Sequence, residues 1–166
     1  MKDSLPAQSE LERAIDLAQK AVGRRERTVA ELRTCLERKR VEPAAIDTAV
    51  EELRESGVLD DARYARRFTE DKRELEQWGS ERISRDLHRR GIAPDLIEAA
   101  LEGHGREAEL GSALLLLEQR FPTPPGDDAG RDRAWRVLVR RGYSPELAYE
   151  AVRARERGQE GRPRAA

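Results

Sequence analysis

The sequence predicts an all-α protein of three tandem three-helix repeats that form an elongated, curved stack. Two observations carry this prediction. A pattern of leucine, basic and proline residues recurs twice at a spacing of 51 residues, and the abundant Ala, Leu, Glu and Arg are helix formers. Charged residues make up 39% of the chain and aromatic residues only 4%, so several small cores are expected rather than one thick core.

The repeat is clearest around three turns. From three leucines spaced 51 residues apart, the segments read LERKRVEPAAIDTAV, LHRRGIAPDLIEAAL and LVRRGYSPELAYEAV. Each segment is interpreted as two helices joined by a tight turn, because Gly91 and Gly142 suit a left-handed C-terminal cap and the prolines that follow suit a first helical position. Arg40 occupies the place of these glycines in the first repeat.

A further helix is predicted before each pair of helices. Apolar residues at helical spacing, such as Leu11, Ala14 and Ala18, recur there. Thr28 and Glu31 have the form of a capping box at the start of the second helix. The predicted organisation is a disordered tail over 1–9, repeats over 10–56, 57–104 and 105–157, a long loop over 122–130 and a disordered tail over 158–166.

Charge and cysteine content exclude several classes of protein. The 32 basic and 33 acidic residues are interleaved, and the net charge of -1 argues against a uniformly basic nucleic-acid binder. The single cysteine, Cys35, excludes an internal disulfide. Neither a signal peptide nor a membrane span is predicted. We therefore expect a cytoplasmic protein that makes no contact with a membrane, and we separately expect a monomer.

Candidate catalytic residues are few. His88 and His104 lack partners at metal-ligand spacing, and no phosphate-binding glycine pattern occurs. Asp60 and Asp61 raise the idea of paired catalytic carboxylates, but before a helix they fit capping and first-turn positions better. Cys35 is interpreted as a small buried hydrophobe rather than a nucleophile. We expect no enzymatic activity, no catalytic residue, no metal and no cofactor.

Basic residues recur at the predicted turns and helix ends. They are Arg24-Arg25, Arg38-Lys39-Arg40, Arg66-Arg67, Arg89-Arg90 and Arg140-Arg141. The helix dipole favours such charges at helix ends, which gives them an ordinary structural explanation. Alternatively, they form a discontinuous track for a phosphate backbone or an acidic protein groove. For the neighbouring aromatics, Trp78 and Tyr143, core packing or wedging at a helix junction is favoured over base stacking.

One run of residues resembles a known family. Leu59-Asp60-Asp61-Ala62-Arg63-Tyr64-Ala65, followed by Trp78-Gly79, Arg82-Ile83 and Arg90-Gly91-Ile92, is similar to the signature of RecX regulatory proteins. The resemblance covers roughly residues 10–155. It implies a non-enzymatic regulator that binds RecA nucleoprotein filaments in their groove and inhibits RecA ATPase, strand exchange and coprotease activity. Such a protein modulates homologous recombination, DNA repair and the SOS response. The implied partner is the RecA filament, with single-stranded DNA as a second candidate.

The resemblance also supplies candidate binding residues. The family motif carries over Asp60, Asp61, Arg63 and Tyr64, and our hypothesis adds the arginines that would face RecA or its DNA: Arg66, Arg67, Arg89, Arg90, Arg140 and Arg141. The alternative function is a helix-turn-helix-like DNA-binding regulator, because two helices with a short glycine-containing turn also describe that motif. The acidic balance and the carboxylates of Asp95 and Glu98, where base-reading residues should lie, disfavour it.

Overall fold

The computed structural model describes residues 4–160 of the chain, and the side chains of residues 9–158. These residues form nine α-helices and no strand: α1 Ser4–Arg24, α2 Val29–Arg38, α3 Pro43–Glu55, α4 Asp61–Glu76, α5 Ser80–Arg89, α6 Pro94–Glu102, α7 Arg106–Arg120, α8 Asp128–Arg141 and α9 Pro145–Glu160. The predicted all-α class, with its consecutive groups of three helices, is confirmed. Between residues 4 and 160 no helix is long and apolar enough to cross a membrane.

Three helix ends differ from the prediction. Helix α1 begins at Ser4, inside the predicted tail 1–9, since Pro6 falls in the first turn, where its missing N–H costs no hydrogen bond. Helix α9 likewise continues to Glu160. The rest of the two predicted tails, residues 1–3 and 161–166, lies outside the described residues. Helix α8 begins inside the predicted loop 122–130, because the Asp127 side chain caps it there. The residue limits assigned to the three repeats stay predictions.

The chain divides into two compact units. The first unit runs up to Arg67 and adds Leu87–Glu98, and the second comprises Phe68–Asp86 and the residues from Ala99 onward. The division passes through α4, α5 and α6. Each unit has an apolar core of its own.

The core of the first unit lies between α1, α2 and α3. Ala14 and Ala18 on α1 and Ala49 on α3 have no solvent exposure, and such small side chains let two helices approach closely. Leu32 and Leu36 on α2 fill the remaining space and are equally buried. Cys35 is partly buried and packs against this core, as expected for a small hydrophobe.

The core of the second unit lies between α7, α8 and α9. Leu116 and Leu117 of α7 are buried here together with Leu138 of α8. Leu115, in the same run of leucines, is half exposed because it lies on the other face of α7. Helical phase, rather than apolar character, therefore decides which of these leucines contributes to the core.

The three turns between second and third helices share one geometry. The backbone φ angle is 56° at Arg40, 78° at Gly91 and 90° at Gly142. The predicted left-handed glycines are confirmed, and the first repeat makes the same turn with an arginine. A non-glycine residue in this region costs about 1 kcal/mol or more. Each following helix begins at a proline, as the sequence predicts.

Candidate functional site

The predicted binding residues of the signature run begin α4 in the first unit. The Asp60 side chain is the N-cap of this helix: its Oδ1 accepts the backbone N–H of Arg63 at 2.9 Å. The Arg63 guanidinium donates to the carbonyls of Gly57 and Val58, at 3.0 and 3.2 Å. The capping interpretation of Asp60 is confirmed, and the Arg63 side chain is bonded to the turn that precedes its own helix.

Asp61 lies in the first turn of α4, as predicted, but it caps a different helix. Its Oδ1 accepts the N–H of Val29, the first residue of α2, at 2.9 Å. Burial raises the pKa of the Asp61 carboxyl, whereas the hydrogen bond from Val29 and the charge of Arg54 act in the opposite direction. The carboxylate therefore satisfies a backbone donor that α2 itself leaves without a partner.

Arg90 joins three segments of the first unit. Its Nη1 donates to Glu31 Oε1 and to the Tyr64 hydroxyl, both at 3.0 Å. Its backbone carbonyl accepts the Thr28 hydroxyl at 2.6 Å. Tyr64 is only 8% exposed, and burial raises the pKa of its phenol. The side chains of Arg90 and Tyr64 are thus both engaged inside the unit.

The predicted capping box at the start of α2 is half formed. The Thr28 hydroxyl accepts the N–H of Glu31 at 3.1 Å, as expected. The Glu31 carboxylate does not return a bond to Thr28; it pairs with Arg25 at 2.7 Å and with Arg90. Glu31, the acidic residue of the predicted capping box, therefore forms ion pairs with two arginines instead of capping α2.

Three further predicted arginines of the first unit have exposed side chains. They are Arg66, Arg67 and Arg89. Arg67 pairs with Glu26 at 3.3 Å, with 64% and 43% of the two side chains in solvent. Exposed pairs of this kind contribute only about 0–1 kcal/mol, so the Arg67 guanidinium can change partner at little cost.

The last predicted pair lies in the second unit. The Arg141 guanidinium donates to the carbonyl of Glu76, and the Arg141 carbonyl accepts the N–H of Gly79 at 2.9 Å. Arg140 is exposed, and its carbonyl accepts the Arg82 guanidinium at 3.3 Å. The second arginine of each doublet, Arg90 or Arg141, is therefore bonded within its unit, and the side chain of the first, Arg89 or Arg140, is exposed.

Trp78 and Tyr143 pack beside these bonds of Arg141 in the second unit. The Arg82 guanidinium lies 3.8 Å from the centroid of the Trp78 ring and the Lys72 ammonium 4.8 Å from it. Trp78 is 8% exposed and Tyr143 is fully buried. Burial raises the pKa of Tyr143 to about 12. Core packing, the favoured interpretation of both aromatics, is confirmed.

The sequence reasoning missed a surface cavity in the second unit. It has a volume of about 320 Å³, and its lining includes Trp135 of α8 with Tyr149 and Arg153 of α9. Tyr149 is 59% exposed and carries the Arg153 guanidinium 5.4 Å from its ring centroid. The available signal was weak: Tyr149 is an aromatic residue that lies off the apolar stripe of α9.

The two histidines lie apart from any cluster of metal-ligating side chains in the described part of the chain. Among the residues whose side chains are described, no group of three or more His, Cys, Asp and Glu could hold a metal ion. His88 is exposed. Burial lowers the pKa of His104, and the charge of Arg73 lowers it further.

Comparison with known proteins places the chain in a family. The model of the first three-helix domain of RecX matches residues 14–53, and that of the second three-helix domain matches residues 60–101. Among solved structures, RecX from Lactobacillus salivarius has a TM-score of 0.81 at 16% identity, covering 90% of this chain and 98% of that chain. A second structure, of a regulatory protein RecX, has a TM-score of 0.73 at 20% identity. At these identities the likeness is one of fold.

The sequence relatives carry the assignment further. A protein named Regulatory protein RecX from Deinococcus radiodurans is 35% identical over 134 residues, covering 81% of this chain but only 64% of that protein. The relative of the same name from Chlorobium phaeobacteroides is 30% identical, covering 88% of this chain and 95% of its own length. The one from Halorhodospira halophila is 34% identical, covering 89% and 91%. With both domain models matched in order and such relatives matched over almost their whole length, the chain belongs to the RecX family.

Proposed function

We propose that this chain is a non-enzymatic regulator that binds RecA nucleoprotein filaments. In this proposal it inhibits RecA ATPase, strand exchange and coprotease activity, and so modulates DNA repair and the SOS response. The observation that supports the proposal is family membership: a relative named Regulatory protein RecX, from Halorhodospira halophila, is 34% identical over 91% of its length.

The exposed arginines are the part of the predicted site best suited to such a partner. An exposed guanidinium exchanges water or a weak ion pair for a carboxylate or phosphate at little cost and makes bidentate contacts with either. Arg66, Arg67, Arg89 and Arg140 meet this condition. Arg63, Arg90 and Arg141 would first have to give up hydrogen bonds within their own units. We therefore place the contact with RecA or its DNA on the four exposed arginines.

The remaining predicted residues act as positioning residues in this proposal. Asp60 caps α4, Asp61 ties the start of α4 to α2, and the buried Tyr64 accepts the Arg90 guanidinium. Together these bonds fix the helix that carries Arg66 and Arg67. Losing one of them should weaken binding only through a loss of stability.

The test of the function is the rate of single-stranded-DNA-dependent ATP hydrolysis by the RecA of the same organism. The chain is titrated into this reaction at fewer than one molecule per RecA. We expect suppression at this substoichiometric ratio, because one regulator bound to a filament affects many RecA subunits. An unchanged rate, with RecA shown to be active, would contradict the proposal.

The test of the surface uses alanine variants of the exposed arginines. We expect Arg66→Ala with Arg89→Ala and Arg140→Ala to lose suppression and to bind filaments with a weaker salt dependence. For each arginine that contacts a phosphate, the salt slope should fall by about one. Arg133→Ala is the matched control, since Arg133 is an exposed arginine of α8 outside the proposed surface. Wild-type suppression by the triple variant would assign binding to another surface.

The helix-turn-helix alternative makes a different prediction. It requires binding to duplex DNA with no RecA present. Helix α6, which would be a recognition helix, carries the exposed Asp95 in its first turn and the exposed Glu98. These carboxylates would meet a groove lined by phosphates, which disfavours entry. Tight, sequence-selective binding to duplex DNA alone would nevertheless replace the RecA proposal.

A further inference from the structure

A hydrogen bond joins a helix start to a turn at corresponding positions in both units, with a side-chain donor in the first unit and a backbone donor in the second. In the first unit the Thr28 hydroxyl donates to the carbonyl of Arg90 at 2.6 Å. In the second unit the N–H of Gly79 donates to the carbonyl of Arg141 at 2.9 Å. The two donors are 51 residues apart, and so are the two acceptors. The start of the second helix of one repeat therefore docks on the turn of the following repeat, twice.

A carboxylate contact recurs beside this bond. The N–H of Val29 donates to Asp61 Oδ1 at 2.9 Å, and the N–H of Ser80 donates to Glu109 Oε1 at 2.7 Å. The donors again differ by one repeat, and each acid lies on the first helix of the following repeat. The start of the second helix of a repeat is thus hydrogen-bonded both to a carboxylate and to a turn carbonyl of the following repeat.

The docking needs a turn residue without a side chain. A Cβ added at Gly91 would lie 2.3 Å from Ala30 Cβ. One added at Gly142 would lie 2.2 Å from Arg82 Cβ and 2.6 Å from the Arg82 nitrogen. Contacts this short do not occur, so any other residue at this position would force the turn away from the helix start of the preceding module.

The turn of the first repeat does not have a glycine at this position. Arg40 stands at the position of Gly91 and Gly142, in the same left-handed conformation, and its side chain is exposed. The carbonyl of Lys39, the equivalent of the two acceptor carbonyls, accepts the Arg13 guanidinium of its own repeat at 3.0 Å. A steric block and an internal donor therefore close this turn to a preceding module.

The helix start of the third repeat is closed in another way. By repeat spacing α8 should begin at residue 131, but it begins three residues earlier, at Asp128. The N–H of Gly130, the equivalent of the Gly79 donor, is bonded to Asp127 Oδ1 at 2.7 Å. Pro125 Cβ lies 3.0 Å from the place of an added Gly130 Cβ. The added helical turn and the proline cover the surface on which a following module would dock.

We propose that Arg40 in the first repeat and the segment Asp127–Gly130 in the third repeat prevent this chain from associating head to tail with a second copy of itself. The occupant that the covered surfaces fit is a copy of this chain, because its own repeats already make this contact twice. Opened at both places, two copies would join head to tail by the same turn-to-helix contact. The closure keeps each copy a separate unit, whichever partner it regulates.

The test mixes two variants that are each opened at one end. The front-opened variant carries Arg13→Ala and Arg40→Gly. The back-opened variant carries Asp127→Ala, Asp128→Gly and Ala129→Gly, which remove the cap and the helix preference of the added turn. We expect sedimentation to give the mass of one chain for the wild type and for each variant alone, up to concentrations on the order of 100 μM. The mixture should give the mass of two chains.

Controls separate the closure from changes in folding or charge. Circular dichroism checks that each variant keeps its helicity. In a control mixture, Arg38→Ala replaces the front-opened variant, because Arg38 is an exposed arginine of α2 near Arg40. We expect no association between Arg38→Ala and the back-opened variant. If the back-opened variant unfolds, Pro125→Gly with Asp127→Ala takes its place. Folded partners that remain at the mass of one chain when mixed would overturn the proposal. So would concentration-dependent association of the wild type.

Discussion

Removing the Asp61 side chain should destabilise the first unit by about 1–2 kcal/mol. The Asp61→Ala variant leaves the Val29 N–H at the start of α2 without its acceptor, and a lost N-cap or an unsatisfied partly buried donor costs about that much. Asp61→Asn is the informative companion, because an amide oxygen can still accept this bond. It also removes a partly buried charge and its repulsion from Asp60 and Glu31. We expect Asp61→Asn to be as stable as the wild type or more stable.

The pH dependence follows from the direction of the shift. Burial raises the pKa of Asp61 in the folded chain, so the folded state takes up this proton more readily than the unfolded state. The free energy of unfolding therefore gains from this group as the pH falls through the raised pKa, and loses as the pH rises through it. The advantage of Asp61→Asn over the wild type should be largest near neutral pH and shrink toward about pH 4.

The assay is urea unfolding followed by circular dichroism, for the wild type and both variants at several pH values. Fluorescence of Trp78 and Trp135 reports the second unit separately, because both residues lie there. Equal destabilisation by Asp61→Ala and Asp61→Asn would refute the cap, since only the first removes the acceptor. A difference between the wild type and Asp61→Asn that does not change with pH would refute the buried-charge argument.

Three further substitutions test the joints and the turns. Gly79→Ala should destabilise the second unit by about 2–4 kcal/mol, because the new Cβ would lie 2.3 Å from the backbone oxygen of Gly142. Gly111→Ala is the control: the space around Gly111 is open, so this variant should be as stable as the wild type or more stable in the same unfolding experiment. Arg40→Gly should raise the free energy of unfolding by about 1 kcal/mol by relieving a positive φ, and Arg40→Ala should give no such gain. Arg90→Met should cost about 1–3 kcal/mol through the bonds to Glu31 and Tyr64, and Arg66→Met, on the exposed face of α4, should leave the unfolding midpoint unchanged.

Local rules were enough to predict most of the helical organisation. A glycine before a proline predicts a left-handed cap followed by a new helix, and that geometry is found at Gly91 and Gly142. Ser144, which precedes Pro145, accepts the N–H of Leu147 at 3.2 Å and so acts as the N-cap of α9. The prediction failed at α8, where a segment rich in proline and glycine looked like a loop and Asp127 starts a helix within it. A composition averaged over nine residues hides a single capping residue.

The long-range bonds had no signal in the sequence. The bond from Val29 to Asp61 joins residues 32 positions apart, and the bond from Arg13 to Lys39 joins residues 26 apart. Such partners are chosen by helix packing, which no local pattern encodes. Helical phase, in contrast, explains the difference within the doublet 140–141, although both arginines were predicted as binding residues. Arg141 lies three residues after the buried Leu138 and so shares its face of α8, whereas Arg140 lies two residues after it and faces away.

Most of the residues by which the chain resembles its family make contacts between one repeat and the next. Asp61 caps α2, Arg90 holds Tyr64, and Gly79 meets the turn at Arg141. Because these contacts make one repeat dock on the next, they account for the signature without any partner. Under the proposed function, we expect the contact with RecA to come from side chains that these contacts between repeats leave in solvent, and Arg140 beside Arg141 is the sharpest comparison. Arg141→Met should lower both stability and inhibition of RecA, because it loses the bond to the Glu76 carbonyl, whereas Arg140→Ala should lower inhibition alone.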